Sequence, residues 1–230
     1  MLKIRLFLFK LKNFIIIIKS RILKKKIKSK YKIIKKNFEK FIEKKSFSQK
    51  WFLNNFEVFH YYLPKNPDTS FSYLEIGSYE GLSALNILFN YKNSKVTVID
   101  LWEKSNINSE SLNVNFNEVE EKFNKNLDGY KYSKIKNDSV IALREVLKKN
   151  FNFDFIYIDG SHNGEDILSD AIESYKLLNM EGIIVFDDVV NVNKNISIQS
   201  YKGFEKFCQI YKKKIKVLYL KNIAVVKKIN

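Results

Sequence analysis

From residue 71 onward, short apolar runs alternate with longer stretches whose apolar residues recur at helical spacing. Phe71–Ile76, Lys95–Asp100, Tyr132–Lys136, Phe153–Asp159 and Gly182–Asp187 are rich in Ile, Val, Phe and Tyr, and three of them end in an aspartate, so they read as buried strands. Between them, Leu82 to Phe89, Phe116–Asn126, Val140–Lys149 and Glu165–Asn179 carry the helix period, with Asp128-Gly129 closing the second. Residues 101–114 read as an Asn/Ser-rich loop. Strand, loop and helix in alternation predict a parallel sheet with helices on both faces. After another Asn-rich loop and a helix near Tyr201–Tyr211, two last strands, Lys216–Leu220 and Ile223–Val226, are separated only by Lys221-Asn222, a hairpin spacing. The expected fold class is α/β: a doubly wound, mostly parallel, seven-stranded sheet closed by a C-terminal antiparallel hairpin.

Upstream the pattern changes. Residues 51–63 place aromatics at helical spacing before Pro64 and Pro67, which predicts a lid or packing helix. Residues 19–50 read as a Lys-rich helix with scattered Ile, Phe and Tyr. Residues 1–18 are apolar but interrupted by Lys3, Arg5, Lys10 and Lys12. The longest uncharged run there, Asn13–Ile18, falls far short of the roughly 20 residues of a membrane span. Basic residues inside the apolar part and the lack of a small-residue cleavage site speak against a secretory signal. The expected organisation is a basic amphipathic extension over 1–50 and a catalytic domain over 51–230.

Charge sharpens that division. Residues 1–50 hold 18 Lys/Arg and 2 Asp/Glu, whereas residues 51–230 hold 23 of each sign. A neutral body lacks the clustered cations of a nucleic-acid groove, so nucleic acid is not the expected partner. The extension suits an anionic membrane surface, with a solvated or disordered basic arm as the alternative, and is expected to be dispensable for folding and chemistry. The single cysteine, Cys208, excludes an internal disulfide and fits a reducing, cytoplasmic setting, peripheral at the membrane if the extension binds lipid. A homo-oligomer is compatible with this sequence.

The candidate chemistry sits at strand ends. Glu75-x-Gly77-x-x-x-Gly81 links a strand to a helix and offers backbone N–H groups and a helix N-terminus to a ligand. Asp100 ends the next strand 23 residues beyond Gly77, where nucleotide-binding units place a carboxylate for ribose hydroxyls. Asp138 stands where it can cap the following helix. Asp159, Asp187 and Asp188 follow two later strands. If those strands are neighbours, the acids must repel, share protons or hold a hard cation, Mg2+ first and Mn2+ or Ca2+ next. Asp188 can join only if the regular strand stops at Asp187. His162, three residues after Asp159, is placed for proton transfer, while His60 is given no chemistry.

The glycine pattern resembles motif I of the class I S-adenosylmethionine-dependent methyltransferases, and residues 71–228 follow their strand order, which implies a Rossmann-like sheet. Tyr157-Ile-Asp-Gly-Ser-His162 and Phe186-Asp-Asp-Val189 are similar to the metal-dependent O-methyltransferases of the macrolide-sugar type. That resemblance implies S-adenosylmethionine bound by Glu75, Gly77, Gly81 and Asp100 with Asp138 beside the adenine. It further implies a divalent metal on Asp159, Asp187 and Asp188, and His162 as the base. No fourth acidic ligand is assigned, Glu103 and Glu110 being the candidates. The implied acceptor is a sugar hydroxyl on a glycan or glycosylated small molecule, with a catechol-like phenol second. Two other readings remain: an NAD-dependent oxidoreductase, disfavoured by the missing third glycine and the acid cluster, and a non-enzymatic membrane-surface binder.

Overall fold

The computed structural model describes residues 2–103, 114–189 and 197–230; the side chains of residues 2–6 and 197–199 are outside that description. The expected loops over 101–114 and 189–200 therefore fall largely outside the described residues, as does Glu110.

Seven strands form one sheet: β1 Ser72–Ile76, β2 Lys95–Asp100, β3 Ser133–Lys136, β4 Phe153–Ile158, β5 Leu178–Phe186, β6 Ile215–Leu220 and β7 Ala224–Lys228. Their order is β3-β2-β1-β4-β5-β7-β6. The first five run parallel, and β7 lies antiparallel to both β5 and β6. Strand alternation divides the core into two layers. Tyr73, Phe155, Tyr157 and Val185 face one cluster, and Leu74, Ile76, Ile156, Ile158 and Phe186 face the other. Helices α5 (Leu82–Asn90) and α6 (Phe116–Asn126) cover the first face; α7 (Ser139–Lys148), α8 (Gly164–Leu177) and α9 (Ser197–Ile210) cover the second.

Two expected elements change. The helix expected to reach Asn179 stops at Leu177, and β5 begins at once with Leu178 instead of at Gly182. Glu181 takes a positive φ of 63°, and the register against β4 shifts between Phe153 and Phe155, so the strand carries an irregularity that apolar periodicity does not reveal. The helix expected over 51–63 is split into a 3-10 turn, Trp51–Asn54, and α4, Phe56–Tyr62. Asn55 is the break.

The N-terminal extension is helical: α1 Leu2–Lys12, α2 Phe14–Lys30 and α3 Lys32–Ile42. Among the described residues no helix is long and apolar enough to cross a membrane. The helices are part of the domain's core. Ile27, Tyr31, Phe38 and Ile42 are buried in the first cluster, Phe38 stacks on Phe56 with centroids 5.8 Å apart, and Phe41 stacks on Phe89 at 4.3 Å. Lys35 pairs with Glu57 at 3.2 Å, and the Ser46 backbone exchanges two hydrogen bonds with Asn126. Burying a large apolar side chain contributes about 1.5–3 kcal/mol, so these four residues contribute about 6–12 kcal/mol, comparable with the about 5–15 kcal/mol that holds a domain folded. This packing runs against the expectation that residues 1–50 are dispensable for folding, which a chain reduced to residues 51–230 tests.

Candidate active site

The parallel register aligns the carboxyl ends of the central strands. Ile76 pairs with Ile99 on one side and Ile158 on the other, and Ile158 pairs with Phe186. One step further, Gly77 N–H donates to the Ile99 carbonyl, Asp159 N–H to Ile76 and Asp187 N–H to Ile158, at 2.9, 2.8 and 3.0 Å. The ladder thus carries the loop glycine and the two aspartates to one edge of the sheet.

Glu75 lies beneath the loop instead of in the crevice. It is fully buried and accepts from Ser78 Oγ at 2.5 Å, Ser83 Oγ at 2.9 Å and the Tyr73 hydroxyl. Burial pushes its pKa up to about 7 against those hydrogen bonds. Gly77, at φ +80°, passes so close to β4 that an added Cβ would lie 2.6 Å from the Asp159 carbonyl carbon. Gly81 caps α5 in the left-handed region, and a Cβ there would meet Leu127 and Phe123 of the α6 layer at 2.5 and 2.8 Å. Both glycines serve backbone and packing within the protein. Asp100 clamps the same loop: its Oδ2 accepts from the Ser78 and Tyr79 amides at 2.7 and 2.9 Å, its Oδ1 from the Trp102 amide at 2.8 Å. Burial raises its pKa despite these donors. Asp138, at the end of β3, is the N-cap of α7 and accepts from the Val140 and Ile141 amides at 3.0 and 3.2 Å.

The other half of the site gathers the remaining acids. The Tyr157 hydroxyl lies 3.0 Å from Asp159 Oδ2 and also contacts Asp187 Oδ2. Its phenol pKa is held well above 10 by burial and by both carboxylates. One hydroxyl hydrogen cannot fully serve two carboxylates, so the second contact calls for a proton on a carboxyl. Accordingly, burial and then the charges of Asp187 and Asp188 hold Asp159 far above the ordinary carboxylate range, and burial followed by Asp188 pushes Asp187 up to about 6. Asp187 Oδ1 accepts from Asn55 Nδ2 at 3.2 Å and from the Asp188 amide at 2.7 Å. The regular strand ends at Phe186, and Asp188 turns out of it at φ +48°. Its Oδ2 meets His162 Nε2 at 3.1 Å, so the histidine rests on an aspartate after the neighbouring strand.

Three oxygen-rich carboxylates, two of them resisting ionisation, suit a divalent cation that would discharge them. They are not gathered into a finished cage: among the described residues no three His, Cys, Asp or Glu side chains stand as a metal-binding group. Asp188 is directed to His162, and Glu103 is exposed on the far side of Trp102 in sequence.

Two participants have no assigned role in the sequence reading. Tyr157 was signalled, since it lies two residues before Asp159 on the same face of β4. Asn55 carries no sequence signal; it reaches Asp187 because the break between the 3-10 turn and α4 turns it there.

An open parallel sheet with an antiparallel last strand, a glycine loop after β1 and acids at adjacent strand ends defines a nucleotide-type ligand crevice. A family model described as a methyltransferase domain matches residues 74–189, half of the chain. The chain belongs to that family, and its fold is that of the class I, S-adenosylmethionine-dependent methyltransferases. No curated protein sequence matches it. Among solved structures it is similar to the MycE methyltransferase of the mycinamycin biosynthetic pathway, in complex with Mg, SAH and mycinamycin VI, at 16% identity and TM-score 0.52 over 89% of this chain and 54% of that one. It thus spans about half the length of MycE. A Staphylococcus aureus protein provisionally assigned as a caffeoyl-CoA O-methyltransferase is similar at 14% identity and TM-score 0.53, over 90% of this chain and 99% of that one. The calicheamicin methyltransferase CalS11 is similar at 12% identity and TM-score 0.51, over 84% and 90%. At these identities the likeness is one of fold.

Proposed function

We propose that this methyltransferase acts on a hydroxyl group, that of a sugar in a glycan or glycosylated small molecule, with a divalent cation, Mg2+ first, at the acid cluster. The observation that carries the reading is the His162–Asp188 pair standing beside Asp159, Tyr157 and Asp187. A methyltransferase needs a base when its acceptor is an alcohol, because a neutral hydroxyl is a weak nucleophile. His162 Nε2 lies 3.1 Å from Asp188 Oδ2; the imidazole would take the hydroxyl proton as the methyl group passes from the sulfonium sulfur to the oxygen, and Asp188 would steady the imidazolium. S-adenosylmethionine supplies the electrophilic methyl group. The cation would be held by Asp159, Asp187 and Asp188 and would lower the pKa of the hydroxyl.

The chain's other residues orient the reactants. Glu75 and Asp100 set the shape of the 77–81 loop, α5 directs its N-terminal dipole there, and Asp138 is assigned to the adenine edge. A ribose contact by Asp100 would share its carboxylate with the loop amides it already accepts from. The MycE complex with Mg, SAH and mycinamycin VI and the O-methyltransferase assignment of the Staphylococcus aureus protein support both the hydroxyl acceptor and the cation.

The test is calorimetric titration with S-adenosylhomocysteine, with NADH as control, then transfer of labelled methyl from S-adenosylmethionine to glycosides and catechols with Mg2+ or excess EDTA. We expect homocysteine-nucleoside binding, no NADH binding, and transfer to glycosides that EDTA abolishes. Full transfer in EDTA removes the cation, and transfer only to phenols or amines removes the sugar.

A further inference from the structure

The two N-terminal helices are apolar on two opposite faces. One face is docked: Phe9 packs on Tyr201 with centroids 5.3 Å apart, Ser20 is buried, and Leu23 and Ile27 join the core. The other is bare. Phe7, Leu11, Phe14, Ile15, Ile18 and Ile22 are all exposed, Ile15 by 69%. At roughly 100° per residue these six positions fall into one stripe, about half a turn from the row Phe9, Ile16, Ser20, Leu23, Ile27. The stripe runs unbroken across the α1–α2 junction, because Asn13 N–H donates to the Phe9 carbonyl at 3.1 Å and Ile17 N–H to the Asn13 carbonyl at 3.0 Å.

The same arithmetic places the cations. Lys10, Arg21 and Lys28 form a row on one flank of the stripe, and Lys12, Lys19 and Lys26 form a row on the other. Residues 1–30 contain eleven Lys/Arg and no Asp or Glu. An apolar strip between two basic rows matches a lipid interface: the strip enters the acyl boundary while the long Lys and Arg side chains reach the headgroups. Nucleic acid would meet the cations but leave the strip against water. A second copy would cover the strip but bring two pairs of like-charged rows together.

We propose that α1 and α2 dock the protein on an anionic membrane surface, with Phe7, Leu11, Phe14, Ile15, Ile18 and Ile22 entering the headgroup boundary. The helices lie on the lipid without spanning it. Because the inner face is packed on the domain, docking also fixes the orientation of the crevice. Phe9 meets the first half of α9, and Ser20 bonds to Leu220 at the end of β6. β6 runs in the same direction as β5, so the docked helices lie toward the crevice side of the sheet. The surface is independent of the acceptor assigned above.

The experiment is co-sedimentation of the full chain with phosphatidylglycerol/phosphatidylcholine vesicles and with pure phosphatidylcholine vesicles, at low and high salt. A Leu11→Ser/Phe14→Ser/Ile15→Ser variant serves as comparison. These side chains are exposed, so folding is retained, as circular dichroism will check. Expected are pelleting with the anionic vesicles only, loss in high salt, and partitioning weaker by about tenfold or more in the triple variant, since each apolar side chain contributes through its buried area. The proposal is overturned if the wild type stays in the supernatant with anionic vesicles at low salt, or if the triple variant pellets equally well. It is also overturned if sedimentation velocity shows a wild-type dimer that the triple variant abolishes, or if the chain binds an RNA oligonucleotide but no vesicle. No substrate enters any arm, so failure here leaves the methyltransfer reading standing.

Discussion

Gly77→Ala and Gly129→Ala make a matched pair. Both glycines sit in the left-handed region, φ +80° and +81°, so each alanine carries the same conformational cost of about 1–2 kcal/mol and the same small gain from a less flexible unfolded chain. Their surroundings differ completely. At Gly129 an added Cβ meets nothing within 4 Å; at Gly77 it would lie 2.6 Å from the Asp159 carbonyl carbon, against an ordinary carbon contact of about 3.5–4.0 Å. The obstacle is backbone, and it cannot swing away, because the Asp159 amide is bonded to Ile76 at 2.8 Å and Gly77 to Ile99 at 2.9 Å. Forcing β1 and β4 apart by about an ångström is an overpacking penalty of about 1–3 kcal/mol beyond the shared term. With a urea m-value of about 2 kcal/mol/M, the Gly77→Ala midpoint should fall about 0.5–1.5 M below that of Gly129→Ala. Calorimetry on the same samples should show weaker S-adenosylhomocysteine binding for Gly77→Ala alone. Equal urea midpoints in the two variants would refute the idea that the approach of β4 is what requires glycine at 77.

Glu75→Gln should flatten the pH dependence of stability. The carboxyl's pKa is raised from 4.5 to about 7, so its contribution is fully present below pH 4.5 and is lost as pH rises through about 7, up to about 3 kcal/mol at this fully buried position. Urea midpoints between pH 5 and 8 should therefore fall more steeply for the wild type than for the variant, and parallel curves would show that the carboxyl is ionised throughout. His162→Ala should lower turnover by about 10²–10⁴ with S-adenosylhomocysteine affinity unchanged, and Asp188→Asn should lower it less; a wild-type rate for His162→Ala across pH removes the base. A chain reduced to residues 51–230 should lack a cooperative thermal transition and bind a dye for exposed apolar surface, because the partners of Ile27, Tyr31, Phe38 and Ile42 are uncovered; a sharp transition would restore the extension to an optional role.

The strands were legible because parallel β-structure buried on both faces leaves dense apolar runs, and the crevice was legible because β2, β4 and β5 stop beside acids. Ile76, Ile158 and Phe186 share one register level, so acids at the ends of separate runs become neighbours without any long-range information. The α8–β5 junction was hidden, since Leu177 and Leu178 are buried in helix and strand alike and periodicity continues across the boundary. In the extension, Ile27, Tyr31, Phe38 and Ile42 are spaced for one helical side, but the surrounding lysines dominate any reading by composition. Those four turn inward, while Ile33 and Ile34 between them stay exposed, so composition does not separate the buried apolar residues from the bare ones. Asn55 shows the limit most plainly: its role follows from a kink between two short helices and from a partner 132 residues away.

The path of α2 across β6 also bears on one of the two open borders of this sheet. β6 is a terminal strand, and such a strand displays unpaired amides and carbonyls on which another chain could continue the ladder. Here α2 passes from one core to the other around that border, Ile16 and Ile17 lying in the second cluster and Ile27 in the first. On the way Ser20 Oγ accepts from the Leu220 amide at 2.9 Å, and the Tyr62 hydroxyl of α4 donates to the Leu218 carbonyl at 3.4 Å. Two groups of alternate residues, the ones a docking strand would need, are taken by side chains. The helical wrapping is thus a guard against intermolecular strand addition, and a protein that has lost it is expected to polymerise through β6.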